Sequence, residues 1–128
     1  MVVFIMGPTG VGKSKVAMNL AREINGEIIS VDSALVYRGL DIGTAKPSPI
    51  ERKIIPHHLI DICSPEEDYS VGRFVRDSSS AIKMTKRKGR VPILVGGTNL
   101  YFRGLEHGLS ELPQSNLEVR KKLQMEVA

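Results

Sequence analysis

Residues 7–14 read Gly7-Pro8-Thr9-Gly10-Val11-Gly12-Lys13-Ser14 and follow a short apolar run, residues 2–6. They match G-x-x-x-x-G-K-[ST] at every fixed position. Glycines let a backbone wrap an anion with its N–H groups turned inward, and a helix N-terminus adds its positive dipole end. In such a loop Lys13 supplies a point charge to the outer phosphate and Ser14 a hydroxyl for Mg²⁺. A strand before the loop and an amphipathic helix after it complete the pattern. The loop by itself selects a di- or triphosphate. Nucleotides, ATP among them, are the usual guests, but any diphosphate ester presents the same oxygens.

This start predicts an α/β fold. Short Val- and Ile-rich runs at residues 2–6, 27–31, 58–62 and 91–95 alternate with helical patterns, which is the signature of a mostly parallel sheet flanked by helices. The 128 residues suffice for one domain, 1–128. The first helix should run from the lysine loop to Ile24, with Val16, Leu20 and Ile24 beside Ala17 and Ala21 on its apolar face. Asn25-Gly26 should end it in a left-handed cap. A longer helix should span about residues 71–88, capped by Ser70 and ended by Gly89, with Val71, Phe74, Val75 and Ile82 facing inward. Ser115 and Glu118 have capping-box spacing, so a further helix is expected from about Asn116. That pattern reaches Ala128 without a terminator. The expectation is a P-loop NTPase-like sheet, four strands in hand, truncated at its C-terminus and left with an uncovered edge or face.

Composition narrows the class. Hydrophobic residues make up 41% and charged residues 25%, as in ordinary globular domains. The formal charge of +4 is compatible with a polyanionic partner and does not require one. Cys63 is the single cysteine, so no internal disulfide forms, and a buried apolar role at a strand end is its expected use. No signal-peptide pattern and no membrane-length apolar run is present. The expected setting is cytoplasmic.

Ligands of open parallel sheets sit at the carboxyl ends of the strands. Asp32 follows the second strand candidate, and Gly96-Gly97-Thr98 follow the fourth. A carboxylate at Asp32 can ligate magnesium, accept a proton from a nucleophile, or cap its own turn, and the residues alone leave these open. Gly96 and Gly97 permit close backbone approach. Thr98 can cap the next helix or offer its hydroxyl and N–H to a ligand. The fourth strand does not end in the Asp common in ATP-hydrolysing loops, which lowers ATP hydrolysis as a reading.

Four segments together resemble one family. GPTGVGKS at 7–14, ISVDSALVYRGLDIGTAKP at 29–47, PHHLIDI at 56–62 and PILVGGTNLYFRGL at 92–105 are similar, in order and spacing, to the tRNA dimethylallyltransferases. The resemblance implies transfer of a dimethylallyl group from dimethylallyl diphosphate to N6 of the adenine 3′-adjacent to the anticodon in tRNA. The loop, Gly7, Pro8, Thr9, Gly10, Val11, Gly12, Lys13 and Ser14, then holds a diphosphate leaving group, with Lys13 and Thr9 contributing to catalysis and Ser14 to Mg²⁺ binding. It implies Asp32 as the base that takes the N6 proton. It implies tRNA contacts at Asp32, Ser33, Ala34, Leu35, Thr98 and Arg120; residues 41–47 belong to the same signature, and their position after Asp32 suggests lining for the substrate channel. Family chains are more than twice as long, so diphosphate binding without appreciable turnover is expected of these 128 residues alone. The competing readings are an adenylate isopentenyltransferase, a P-loop small-molecule kinase and a non-catalytic diphosphate-binding fragment.

Two features are set aside. Five basic residues between Lys83 and Arg90 should form a solvated helix end, far from the loop. His57 and His58, adjacent on a strand, point to opposite faces and cannot readily chelate one ion.

Overall fold

A computed structural model describes residues 1–7, 12–39, 46–110 and 119–124, of which 109–110 and 119–124 are described by backbone alone. The elements are β1 (Val2–Met6), α1 (Lys13–Ile24), β2 (Gly26–Val31), α2 (Pro49–Ile54), β3 (His57–His58), α3 (Val71–Arg87), β4 (Val91–Gly96), α4 (Asn99–Ser110) and β5 (Val119–Gln124). The strands form one parallel sheet in the order β3-β2-β4-β1-β5. This is the expected P-loop NTPase-like α/β architecture.

The strands have buried residues on both faces, as a parallel sheet covered by helices requires. One face carries Phe4, Ile29, Leu94, Phe74, Ile82, Phe102 and Leu105, which join α3 and α4 to the sheet. The other carries Val3, Ile5, Ile28 and Ile93 against α1. Phe4 and Phe102 meet edge to face at 5.8 Å. The expected caps are in place. Asn25 is left-handed at φ 56°, the Ser70 side chain accepts from the Arg73 N–H, and Gly89 turns at φ 75°.

Register sets the functional end. Met6 and Val31 both lie opposite Gly96. Three strands therefore stop at one level, and Gly7, Asp32 and Gly97 are delivered to one rim. The close fit depends on Gly96, where a Cβ would come within 2.0 Å of the Val31 carbonyl oxygen.

Four expectations are corrected. The segment expected to be helical from Asn116 is, over Val119–Gln124, a strand on β1. Without it the buried β1 would be a sheet edge with unpaired backbone groups, and that long-range demand outweighs local helical preference. The sheet thus has five strands rather than four, and β5 covers that edge. The third strand pairs only at His57 and His58, because Leu59 and Asp61 are left-handed at φ 66° and 58° and break the extended run. In α1 the residues turned fully inward are Ala17, Met18 and Ala21, while Val16 is 39% exposed. The small alanines let the helix approach the sheet, so the larger residues flank the contact.

The fourth correction concerns the basic run. Glu27, 1% exposed, accepts from His58 Nε2 at 2.7 Å, from Thr85 Oγ1 at 3.3 Å and from Lys88 Nζ at 3.3 Å, with Arg90 Nε at 3.6 Å. Lys88 and Arg90 are thus the partners of a buried carboxylate rather than a purely solvated helix end. The cluster lies at the start of β2 and β4, away from the rim. Cys63 is buried, as expected. The Ser115–Glu118 capping box lies outside the described residues.

Candidate active site

Gly7, Gly12, Lys13 and Ser14 of the loop are described; Pro8, Thr9, Gly10 and Val11 lie outside the described residues. Gly7 is tied to β4 by its N–H, which donates to the Gly96 carbonyl at 3.3 Å. Gly12 starts α1 at φ 80° and its carbonyl accepts from the Val16 N–H. Lys13 is the first residue of α1, so its ammonium and the helix N-terminus share one side of the rim. Gly97 lies beside it, where a Cβ would stand 2.9 Å from the Gly7 carbonyl oxygen and 4.0 Å from Lys13 Nζ. Any side chain there would crowd the Gly7 backbone at the base of the loop. Burial lowers the Lys13 pKa below its ordinary value, and the nearby charge of Asp32 opposes the shift. The structure thus brings Lys13 and Asp32 together.

Asp32 is half-buried at the end of β2. Its Oδ1 accepts from the Ala34 N–H at 2.7 Å and the Leu35 N–H at 3.2 Å. The carboxylate therefore caps its own turn with one oxygen. These bonds fix its direction and leave Oδ2 outside the turn. Thr98 closes the same turn from β4. Its hydroxyl oxygen accepts from the Ser33 N–H at 3.0 Å, and its own N–H donates to the Val31 carbonyl at 3.3 Å. The Thr98 carbonyl receives the first helical bond of α4, from Phe102. Both Thr98 groups expected for a ligand thus bind the Asp32 turn, although the hydroxyl retains its proton as a donor.

Beside the rim a mainly apolar cleft of about 50 Å³ runs between α1 and the sheet, lined by Ala17, Met18, Ile28, Leu35, Ile60 and Val95, with Ser14, Glu51 and His57 as polar members. Ser30 also faces it and is 3% exposed, and its Oγ has no hydrogen-bond partner in the structure. A buried hydroxyl without a partner costs free energy, so this atom marks a place where water or a ligand group fits.

Among the described residues no group of three or more His, Cys, Asp or Glu is placed to hold a metal ion. The hard donor beside the loop is instead the Ser14 hydroxyl, at the start of α1. Hard oxygen donors, few in number and beside a phosphate loop, fit Mg²⁺, which keeps waters and takes phosphate oxygens as further ligands. Among the described residues no helix is long and apolar enough to cross a membrane.

The remaining expected residues are placed unevenly. Ser33 is exposed, Ala34 partly and Leu35 9% exposed, all on the Asp32 turn. Arg120 lies in β5, on the far side of β1 from the Asp32 turn, and only its backbone is described. Asp41 and Thr44 lie outside the described residues. Lys46 does not: its Nζ donates to Asp61 Oδ1 at 2.5 Å and to the Tyr37 carbonyl at 3.3 Å. Asp61 and Ser30 were not singled out by sequence reasoning. Both fall in segments that carry the family resemblance, but nothing in local spacing pairs Asp61 with Lys46, 15 residues away.

Comparisons with known proteins identify the family and the fold. The family model described as IPP transferase matches residues 35–128, and that described as isopentenyl transferase matches residues 1–60. A tRNA dimethylallyltransferase of Halorhodospira halophila is 58% identical over 127 residues, 99% of this chain and 41% of that protein. The tRNA dimethylallyltransferase 9 of Arabidopsis thaliana is 55% identical over 118 residues, 92% of this chain and 26% of that protein. The crystal structure of the full-length tRNA isopentenylpyrophosphate transferase from Bacillus halodurans superposes with a TM-score of 0.80 at 45% identity, covering 93% of this chain and 38% of that one. A eukaryotic dimethylallyltransferase captured acting on tRNA gives 0.78 at 38% identity, covering 90% and 28%. The chain spans about two fifths of the length of the bacterial relatives it matches. With that family model covering residues 35–128 and the same fold in solved members, this chain belongs to the IPP transferase family.

Proposed function

We propose that these residues form the diphosphate-binding and proton-accepting part of a tRNA dimethylallyltransferase. The substrates are dimethylallyl diphosphate and the adenine 3′-adjacent to the anticodon in tRNA. The observation that carries the reading is that Lys13 and Asp32 face each other on the rim, with a mainly apolar cleft beginning nearby at Ser14 and Leu35. A kinase needs the first two; a prenyl donor also needs somewhere apolar for its tail.

The chemistry follows from the charges. N6 attacks the allylic carbon, the C–O bond breaks, and its electrons leave with the diphosphate. Lys13, the loop amides of Gly7–Ser14 and the dipole of α1 stabilise negative charge where it develops. The Ser14 hydroxyl would hold Mg²⁺, which would supply further neutralisation of the diphosphate charge. The adenine amino group is a weak nucleophile, and Asp32 Oδ2 accepts its proton as the bond to carbon forms. Thr9 acts with Lys13 at the diphosphate. The target base must leave its stack to reach Asp32, and Ser33, Ala34, Leu35 and Thr98 stand where it would arrive, with Arg120 contacting the tRNA further out. A buried free thiol at Cys63 suits the reducing cytoplasm, where this substrate occurs.

The test is transfer of a labelled dimethylallyl group to tRNA by the complete natural chain that carries these residues. Label should enter tRNA and not AMP or ATP, and Asp32→Asn should reduce transfer by roughly 10²-fold or more, within the usual range for a general base. Label in free adenine nucleotides, or full transfer by Asp32→Asn, would contradict the reading.

A further inference from the structure

Asp61 stands in the left-handed region at φ 58°, two residues after Leu59 at φ 66°. Neither is glycine, so both conformations are held against a local preference. What holds Asp61 is a set of bonds in two directions. Its N–H donates to the Leu35 carbonyl at 3.0 Å. The Leu35 N–H in turn donates to Asp32 Oδ1 at 3.2 Å. Two consecutive hydrogen bonds thus join the backbone of Asp61 to the Asp32 carboxylate through one residue.

In the other direction the Asp61 side chain is clamped. Oδ1 accepts from Lys46 Nζ at 2.5 Å and Oδ2 from Arg52 of α2 at 3.1 Å. Lys46 is 9% exposed and also holds the Tyr37 carbonyl. The Lys46 hydrogen bond, against a smaller effect of burial, keeps the Asp61 carboxyl below its ordinary range. The Asp61 carboxyl therefore stays ionised near neutral pH.

We propose that Asp61 is a positioning residue for the proton acceptor. It fixes the Asp32 carboxylate through Leu35 and is itself fixed by Lys46 and Arg52. The inference rests on the reading of Asp32 as the base. With Oδ1 committed to the turn, the direction of Oδ2 depends on where Leu35 sits. A shift on the order of 1 Å at a reacting group can cost ~10²-fold in rate.

The test is steady-state kinetics of the complete natural chain with Asp61→Gly, Lys46→Met and both together. Glycine suits the left-handed backbone and keeps the N–H to Leu35, so Asp61→Gly deletes the carboxylate alone. In each single variant kcat should fall roughly 10-fold or more, within the cost of misplacing a reacting group, while KM for dimethylallyl diphosphate holds. The double variant should be no worse than either single one, because the pair acts as a unit. Asp61→Asn, which tolerates the same φ and keeps an acceptor, should recover part of kcat. A wild-type kcat, a change confined to KM, or multiplying losses would overturn the proposal. If Asp61→Gly does not fold, Lys46→Met decides by the same split. Asp32→Asn separates the two levels. If it leaves kcat unchanged, the reading of Asp32 fails and this inference with it. If it abolishes transfer while Asp61→Gly matches wild type, only the positioning role is overturned.

Discussion

The Thr98 hydroxyl accepts a hydrogen bond from the Ser33 N–H at 3.0 Å, across 65 residues of sequence. This bond joins the loop after β4 to the loop after β2, so the two halves of the rim are tied to each other. Asp32 is thereby held from both sides: by its own turn, and by a side chain from the neighbouring strand.

Thr98→Val keeps the shape and removes the hydroxyl. The Ser33 N–H then loses its acceptor, and stability should fall by about 1 kcal/mol in urea unfolding. Thr98→Ser, which keeps the oxygen, should lose less. Equal stability of Thr98→Val and wild type would show that water replaces the bond without cost.

Gly96→Ala should be among the most damaging single-methyl changes in the described residues. The added carbon would overlap the Val31 carbonyl oxygen at 2.0 Å, and both neighbours are backbone in a buried sheet. The cost expected is roughly 3 kcal/mol, at the upper end for overpacking, read by thermal or urea unfolding. A loss below about 1 kcal/mol would mean that β2 and β4 separate readily at the rim.

Much of this was legible in advance. The placing of Lys13, Ser14 and Asp32 on one rim was legible because the loop motif and the strand ends are local patterns, and parallel register then puts the ends together. β1, β2, β4, α1 and α3 were legible from local patterns. β5 was not: Val119–Gln124 is a strand because β1 needs a partner, which no local window contains. The inward face of α1 was misjudged because closeness to the sheet favours Ala17 and Ala21 over the larger Val16. Glu27 and Asp61 were missed for a related reason. Their cationic partners lie up to 63 and 15 residues away, and a paired carboxylate is recognisable only once its cations are beside it.

Stability should fall in acid, partly through Glu27. Burial alone would raise its pKa, but the hydrogen bonds and charges of His58 and Lys88 outweigh it, and the folded value lies below the ordinary 4.5. A depressed carboxylate pKa contributes stability that is present above pH 4.5 and lost as pH falls through the folded value. Glu27→Gln should therefore lower stability at pH 7 and flatten its decline below pH 4.5. An unchanged acid slope in Glu27→Gln would assign that decline to other carboxylates.

Ser30→Ala removes the buried hydroxyl that has no partner. The change should stabilise the free protein by about 0.5–1 kcal/mol, since an unpaired polar group is deleted and little volume is lost. Destabilisation would show that ordered water pairs this oxygen inside the cleft.

The central claim is that Lys13 and its loop hold a prenyl diphosphate beside Asp32. Calorimetric titration in Mg²⁺ with dimethylallyl diphosphate, plain diphosphate and ATP tests it most directly, with Lys13→Ala as control. The account predicts binding of both diphosphates, tighter for the prenylated one, weak binding of ATP, and loss of all of it in Lys13→Ala. Preference for ATP, or diphosphate binding that survives Lys13→Ala, would contradict it.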